Sequence, residues 1–210
     1  MQTTTDFNPQ PITLNARDIT LKPLVRNDFE GFYLAGNHER LWRWVVPNPC
    51  ETHESTRAWI DKALRGLQLG DQIPFVIIDN LSQKIIGSTR YCSIRRDDRN
   101  IEIGHTFIIP DFQRTHVNTQ AKFLLLKHAF EVLGAIRVEI KTHEKNQQSR
   151  SAILRIGAKF EGVLRNNRIL PDGNVRSTAI FSITEQEWLK VKSELQVKME
   201  RVVGAVNAHT

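Results

Sequence analysis

The residues with the clearest chemical potential lie in the stretch "FIIPDFQRTHVNTQAKFLLLKHAF", residues 107–130. Its pattern predicts a strand, a Pro-Asp-Phe turn, a short polar loop and a helix over residues 116–133. The first turn of a helix has unbonded N–H groups and the positive end of the helix dipole, so such a junction is suited to binding phosphate. Phosphate-binding loops usually contain glycine, whereas this loop has Arg114, His116 and Asn118. The alternative is a capped helix start without a ligand.

Further polar residues lie on the strand before this loop and at the start of the next predicted helix. In "NIEIGHTFIIP" strand alternation predicts that His105 faces away from Glu102. The other side chains fall on two faces: Ile101, Ile103, Phe107 and Ile109 on one, and Glu102, Gly104, Thr106 and Ile108 on the other. Asn146 is a typical N-cap for the helix that "NQQS" opens. The mostly apolar 116–133 helix is expected to be buried against the sheet, with its polar start at the strand ends, where open α/β sheets usually bind ligands.

The hydrophobic pattern as a whole predicts an α/β (α+β) chain in the order β-α-α-β-β-β-α-β-α-β-β-α. Strands are predicted over residues 18–24, 73–79, 84–94, 101–109, 136–142, 159–170 and 175–183, and the other helices over 29–41, 51–70, 147–156 and 184–202. We expect a mixed, mostly antiparallel sheet flanked by helices, with one parallel crossover. The expected organisation is an N-terminal extension over 1–17, a main domain over 18–183, and a C-terminal helix and tail over 184–210.

The composition argues against several functional classes. Of the 210 residues, 40% are hydrophobic and 25% are charged, as in ordinary soluble proteins, and neither a leader pattern nor a membrane-length apolar run occurs. The two cysteines are far apart and the seven histidines lack ligand spacing, so we expect no metal site and a cytoplasmic location. The net charge of +6 suggests an anionic partner, but the basic residues are dispersed, which makes nucleic acid an unlikely main partner.

Several spaced motifs resemble the GNAT superfamily of N-acetyltransferases. In "QRTHVN", Gln113 matches the first position of the family pattern Q/R-x-x-G-x-G/A, while His116 and Asn118 stand at its two small-residue positions. The run from "VNTQAK" through "NQQS" to "GAKFEGVLR" is similar to the branch of ribosomal-protein N-terminal (RimJ/RimL-type) acetyltransferases, with Gln120 in place of the usual Glu. The order of elements from residue 18 to about residue 183 fits the GNAT fold.

The resemblance implies that acetyl-CoA is the co-substrate. It implies that the helix start binds the phosphates, where Asn118 is among the residues best able to adopt the left-handed conformation that glycine would supply. It also implies that Asn146 holds the pantetheine and that Arg150 is within reach of the phosphates, the alternative for Arg150 being a solvated helix residue. The implied coenzyme-binding residues are Phe107, Ile108, Ile109, Gln113, Arg114, Thr115, His116, Val117, Asn118, Thr119, Asn146, Ser149 and Arg150.

The resemblance also implies direct attack of an amine on the thioester in a ternary complex, so no acyl-enzyme cysteine is needed. Glu102 is the family-like candidate for the general base, acting through a water, and Ser149 is the candidate for the general acid at the departing sulfur. The alternative for Glu102 is a cross-strand charge pairing with Arg95, Arg96 or Arg99. Neither tyrosine of the chain is placed to serve as the acid.

The acceptor is expected to be a primary amine, and the branch suggests the α-amine of a protein N-terminus. In this family the loop "HERLWRWVVPNPCETHES", residues 38–55, shapes the acceptor site, and Trp42 and Trp44 are candidates to line it; ordinary packing is the alternative for at least one of them. Two other functions remain open: acetylation of a small amine such as an antibiotic or polyamine, and non-catalytic binding of coenzyme A or of the ribosome. Either a monomer or a homodimer fits the sequence.

Overall fold

A computed structural model of the chain describes residues 7–45 and 47–206, with side chains as far as residue 200. The strands are β1 (Leu14–Asn15), β2 (Ile19–Pro23), β3 (Ile73–Asp79), β4 (Ile85–Arg95), β5 (Asn100–Ile108), β6 (Arg137–His143), β7 (Lys159–Ile169) and β8 (Val175–Thr184). The helices are α1 (Phe29–Gly36), α2 (His53–Gln68), α3 (Val117–Lys127), α4 (Gln147–Arg155) and α5 (Glu185–Val206).

The eight strands form a single sheet in the order β1-β2-β3-β4-β5-β6-β8-β7. Only β5 and β6 are parallel, and α3 lies in the connection between them; every other neighbouring pair is antiparallel. The predicted mixed, mostly antiparallel sheet with one parallel crossover and a C-terminal helix is therefore confirmed. None of the helices in the described part of the chain is long and apolar enough to cross a membrane.

Two predicted helices are α-helical over only part of their predicted length. The α-helical part of the 116–133 segment ends at Lys127 and continues as a π-helical turn, His128–Val132. The buried Tyr91 hydroxyl donates to the Leu125 carbonyl at 2.5 Å, which supplies a side-chain partner within the helical hydrogen-bond ladder. Similarly, α1 ends at Gly36 because the Trp42 indole N–H donates to the Gly36 carbonyl at 2.7 Å.

Residues of the expected N-terminal extension contribute to the fold. Phe7 is only 3% exposed and belongs to the main hydrophobic core. Strand β1 pairs with β2 through Leu14 and Leu21. The short strand had no sequence signal strong enough to separate it from a loop, because two residues show no alternation.

A β-bulge in β5 changes which side chains face each core. Arg90 pairs with Gly104 and Ser88 pairs with Phe107, so Thr89 alone lies opposite His105 and the residue after it. His105 has a φ of +50°, as expected for the extra residue of a bulge.

The predicted alternation is consequently wrong beyond residue 104. Ile108, rather than Phe107, joins Ile101 in the core beneath α3 and α5. Phe107 packs on the opposite face of the sheet, against Phe32 and Trp42. His105 contacts Trp59 of α2 and so also lies on that opposite face, which the alternation assigned to Glu102.

A buried lysine lies beneath this bulge. Lys122 of α3 is 5% exposed, and its ammonium donates to Thr106 Oγ1 at 2.6 Å and to Thr89 Oγ1 at 3.4 Å. The two hydroxyls are also hydrogen-bonded to each other at 2.8 Å. Burial lowers the pKa of Lys122 to about 7, because the charged form is poorly solvated there.

The stability of the protein should therefore depend on Lys122 at alkaline pH. The folded-state pKa lies below the unfolded value, so the unfolded chain binds more protons between about pH 7 and pH 10, and stability rises with pH in that window. Between pH 7 and pH 9.5 the free energy of unfolding of the wild type should rise by roughly 3 kcal/mol more than that of Lys122→Met, because each pH unit contributes about 1.36 kcal/mol. Urea unfolding at both pH values measures this difference. Lys127→Met, which changes an exposed lysine of the same helix, should keep the wild-type slope; an identical slope in both variants would contradict the prediction.

Candidate active site

The sheet opens between its two parallel strands. Hydrogen-bonded pairing of β5 with β6 covers only Asn100–Glu102 and Arg137–Glu139, although β5 continues to Ile108 and β6 to His143. We call the space between residues 103–108 of β5 and 140–143 of β6 the strand gap. Over its whole length β6 remains paired with β8, and β5 remains paired with β4 as far as Ile108, so the two halves of the sheet separate between β5 and β6. The bulge in β5 bends that strand at this point.

The floor of the strand gap is open to solvent. His105 and Thr106 are exposed, although Ile103 before them and Phe107 after them are buried. Backbone N–H and C=O groups along an unpaired strand edge require other partners. The strand gap thus presents unpaired strand edges within the sheet, to which an extended ligand can hydrogen-bond.

Backbone direction limits which of the predicted residues Phe107, Ile108 and Ile109 face the gap. The Phe107 carbonyl lies against β4, where a Cβ on Gly87 would approach it to 2.3 Å. The Ile109 N–H also points to β4 and donates to the Ile86 carbonyl at 2.9 Å. Alternation turns Ile108 toward the gap instead, and its carbonyl accepts a hydrogen bond from the Gln113 amide at 2.9 Å.

The loop after β5 leads into α3 without glycine. Arg114, with a φ of +61°, takes the left-handed conformation, whereas Asn118 is helical; the expectation that Asn118 would supply that conformation is wrong. Thr115 Oγ1 donates to the Phe112 carbonyl at 2.7 Å and accepts the Val117 N–H at 3.3 Å. Val117, Asn118 and Thr119 form the first turn of α3, so their amides point back at the loop and the strand ends.

Asp18, just before β2, fixes the start of α3. His116 Nε2 lies 3.2 Å from Asp18 Oδ2, and the Gln120 amide donates to the same oxygen at 2.6 Å. The Asp18 N–H in turn donates to Gln120 Oε1 at 3.3 Å. The Arg17 guanidinium is the largest influence that lowers the pKa of Asp18, and Gln120 and His116 add to it. The His116 side chain is thereby directed to Asp18, which explains how a large residue occupies a position where the pattern Q/R-x-x-G-x-G/A has glycine.

The start of α4 lies beside this loop. Asn146 Oδ1 accepts the Ser149 N–H at 3.0 Å, so the N-cap prediction is confirmed. Gln148 reaches across to the Gln113 side chain, with 3.5 Å between Nε2 and Oε1. Arg150 donates to the Glu144 carbonyl at 2.9 Å and lies over the Phe160 ring, so its guanidinium stabilises the β6–α4 connection. Arg150 is therefore not the solvated helix residue that the alternative describes.

Glu102 lies at the inner end of the strand gap and is paired with Lys141. The Lys141 ammonium is 2.9 Å from Glu102 and 2.8 Å from Glu139, and Ser93 Oγ donates to Glu102 at 3.1 Å. Burial lowers the pKa of Lys141, but the two carboxylates outweigh it and the net direction is upward. The charge pairing weighed from the sequence is thus present with a different partner. The Lys141 partner was missed because the register that brings β6 beside β5 is a long-range property.

The two tryptophans of the 38–55 loop have different environments. Trp42 is 7% exposed and packs in the core against Phe107, as the packing alternative predicts. Trp44 is half-buried and lies against His143 at the end of β6, with ring centroids 4.7 Å apart. Trp44 and His143 line a cavity of about 320 Å³ together with the tip of the β7–β8 hairpin. Only Trp44 is therefore placed to contact an acceptor.

The remaining candidate groups are unsuited to nucleophilic catalysis. Burial raises the pKa of Cys50 to about 11 and that of Cys92 to about 12, and both are free thiols. Tyr91 is fully buried, with its hydroxyl bonded to a helix carbonyl. Among the described residues no group of three or more His, Cys, Asp or Glu side chains is arranged to hold a metal ion.

Comparison with known proteins identifies the family to which the fold belongs. The family model "Acetyltransferase (GNAT) domain" matches residues 18–159. The chain belongs to the GNAT acetyltransferase family. A GCN5-related N-acetyltransferase from Brucella melitensis has a crystal structure similar to this one, with a TM-score of 0.84 and 30% identity, covering 90% of this chain and 86% of that chain. The predicted family and the acyltransferase class are confirmed.

Two further relatives belong to the same group of enzymes. The Bacillus subtilis protein named "Putative ribosomal N-acetyltransferase YdaF" is 26% identical over 182 residues, which are 81% of this chain and 93% of that protein. The structure "Mycobacterium smegmatis RimJ in complex with CoA-disulfide" has a TM-score of 0.76 at 19% identity, covering 90% of this chain and 95% of that chain. The likeness to YdaF agrees with the resemblance to the RimJ/RimL-type branch, and the likeness to the RimJ structure shows that the fold is shared.

The pairing of Gln120 with Asp18 should make glutamine necessary at position 120 for the full stability of the fold. Gln120→Glu places a second carboxylate against Asp18 at a buried site, so we expect a loss of about 1–3 kcal/mol at pH 7. The loss should shrink near pH 4, where a protonated Glu can donate as the amide does. Urea unfolding at the two pH values measures both effects. The double variant Asp18→Asn/Gln120→Glu restores a donor–acceptor pair and should be more stable than the sum of the single changes predicts; strict additivity would contradict the pairing.

Proposed function

We propose that this GNAT protein is an acetyl-CoA-dependent N-acetyltransferase that acts on a primary amine by direct attack. The observation that carries the proposal is the strand gap, which leads from Glu102 to the first turn of α3. An extended pantetheine arm fits such an edge as an added strand does, through main-chain hydrogen bonds. The phosphates then lie at the end of the gap, where the α3 amides and the helix dipole favour negative charge.

The loop residues take complementary parts in coenzyme binding. The Asn118 and Thr119 amides supply donors for the phosphates, beside the Val117 N–H that Thr115 Oγ1 accepts, and the exposed Arg114 supplies a charge. Gln113 connects the end of β5 with α4 and so fixes the width of the gap. Arg150 acts indirectly, by holding the β6–α4 connection, and Asn146 sets the position of Ser149.

The acetyl group lies near the bulge in this arrangement. The amine nitrogen attacks the thioester carbonyl carbon, a C–N bond forms, the C–S bond breaks, and the sulfur leaves with the electron pair. The bulge leaves an extra residue outside the β4–β5 ladder, and we assign to the backbone N–H groups of His105 and Thr106 the role of donating to the carbonyl oxygen as it becomes negative. Ser149 Oγ donates a proton to the departing sulfur, and Glu102 accepts a proton from the amine through a water.

The ion pair of Glu102 with Lys141 is compatible with this role. The Lys141 ammonium at 2.9 Å and the Ser93 hydroxyl at 3.1 Å hold the Glu102 carboxylate in place at the inner end of the gap. Lys141 and Ser93 both contact Oε2 of Glu102, so Oε1 is left to bind a water. The acceptor we propose is the α-amine of a peptide or protein N-terminus, which the ribosomal name of the YdaF relative supports.

Steady-state release of coenzyme A from acetyl-CoA, with a panel of peptides and small amines, tests these assignments. Glu102→Gln and Ser149→Ala should each lower kcat by roughly 100-fold while changing acetyl-CoA affinity little, because general acid–base catalysis typically contributes 10²–10⁴-fold. Matched controls are Glu139→Gln, which alters the other carboxylate on Lys141, and Ser151→Ala, which removes a hydroxyl on the same helix.

The outcomes separate the candidate functions. If both controls slow turnover as much as the two test variants, the catalytic assignments are wrong and the ion pair and helix act structurally. Turnover of spermidine or an aminoglycoside but of no peptide would establish the small-amine alternative. Coenzyme A binding without turnover of any amine would establish a non-catalytic binding protein.

A further inference from the structure

The β7–β8 hairpin brings two arginines together with no carboxylate between them. Arg168 and Arg176 are directly opposite each other in the antiparallel pair. Like charges at such positions destabilise a sheet. Within the part of the chain that the structure describes, neither arginine forms an ion pair, whereas Arg137 in the neighbouring strand has two carboxylate partners.

Arg176 is the less accessible of the two. It is half-buried, and its Nε is shut off from solvent without a hydrogen-bond partner among the described residues. Burial and the Arg168 charge both lower the pKa of Arg176, while Glu102 opposes them. Arg176 therefore lies beside another cation and has guanidinium N–H groups available to donate to an anion.

This arginine pair lies beyond the outer end of the strand gap, because Arg176 is two residues from Thr178, the partner of His143 at the end of β6. The charges of Arg168 and Arg176 both act on His105 at the floor of the gap, as do those of Arg90 and Lys62. His105 is exposed to the gap but crowded by protein on its other sides. That crowding and the four cations lower the pKa of its imidazole to about 3. The imidazole is therefore neutral at pH 7 and adds no charge of its own.

The negative charge nearby is insufficient to balance these cations. Glu102 is paired with Lys141, and Arg90, Arg168 and Arg176 have no carboxylate partner among the described residues. In the adjoining cavity the carboxylates of Asp172 and Glu144 only balance the charges of Arg43 and Lys145. An amine that approaches Glu102 must therefore enter a region of net positive charge. An acceptor with several amino groups is repelled there, and one with its own carboxylate is attracted.

We propose that the acceptor is a primary amine with a carboxylate nearby, and that Arg176 and Arg168 bind that carboxylate. The inference rests on the proposed acetyltransferase function and specifies its substrate class. Two sources supply this chemistry: a peptide whose second or third residue is acidic, and a free acidic amino acid. The arginines are positioning residues, since they orient the acceptor and take no part in proton transfer.

Competing acceptors test the inference. Peptides that begin Ser-Asp-Asp, Ser-Asn-Asn and Ser-Lys-Lys, together with free glutamate, free glutamine and spermidine, are compared by kcat/KM. We expect the Asp peptide or glutamate to exceed its amide counterpart at least ~10-fold, and Arg176→Gln to bring that ratio to about one through KM, with kcat for the amide peptide unchanged. Arg168→Gln should reduce the ratio partly. Arg165→Gln, on the exposed part of the same hairpin, should leave it unchanged.

Stability distinguishes this role from a structural one. Because Arg176 faces a like charge, Arg176→Gln should melt at the wild-type temperature or above. Equal turnover of acidic and amide acceptors, or preference for the Lys peptide or spermidine, would overturn the inference and leave the acetyltransferase function intact. If no acceptor reacts, fluorescence polarisation measures peptide binding in the presence of coenzyme A. Equal binding of the Asp peptide and the other peptides refutes the arginine site. Absence of coenzyme A binding refutes the proposed function itself.

Discussion

The end of hydrogen bonding between β5 and β6 is the constraint on which the site depends. Beyond Glu102 and Glu139 the two strands no longer pair, so main-chain groups that a continuous sheet would satisfy internally become available. The bulge at His105 bends β5 where the gap begins, while β4 and β8 hold the outer edges of β5 and β6. Lys122, bonded to both threonines at the bulge, supports this geometry from the core at the cost of desolvating an ammonium.

The start of α3 depends on a second set of contacts that replaces glycine. Arg114 takes the left-handed conformation at a cost of about 1 kcal/mol, and the Thr115 hydroxyl bridges the turn. Asp18 binds His116 and Gln120, which keeps two large side chains against β2 and away from the helix amides. The same contacts connect the N-terminal part of the chain to the coenzyme loop. Glycine would supply a left-handed backbone and the absence of a side chain. Here Arg114 supplies the first, and the contacts of Asp18 with His116 and Gln120 take the place of the second.

The sequence predicted the sheet, the crossover and the family, because these follow from local periodicity and spaced motifs. Asn146 was correctly predicted as an N-cap, a role that depends only on residues within one turn. The faces of β5 were wrong beyond residue 104, since a bulge adds one residue and nothing in "IEIGHTFII" signals it. The sequence did not predict Lys141 or Arg176 as site residues, because their proximity to Glu102 arises from strand register between segments distant in the chain.

Hydrogen exchange of the backbone amides with and without acetyl-CoA tests the central claim most directly. If the strand gap holds the pantetheine and the α3 start holds the phosphates, saturating acetyl-CoA should slow exchange in residues 103–108 and 117–119, with little change in β2 and β3. ATP at the same concentration should protect only the α3 start. Absence of protection in 103–108, or equal protection by ATP there, would contradict the account and show that the gap is not the coenzyme site.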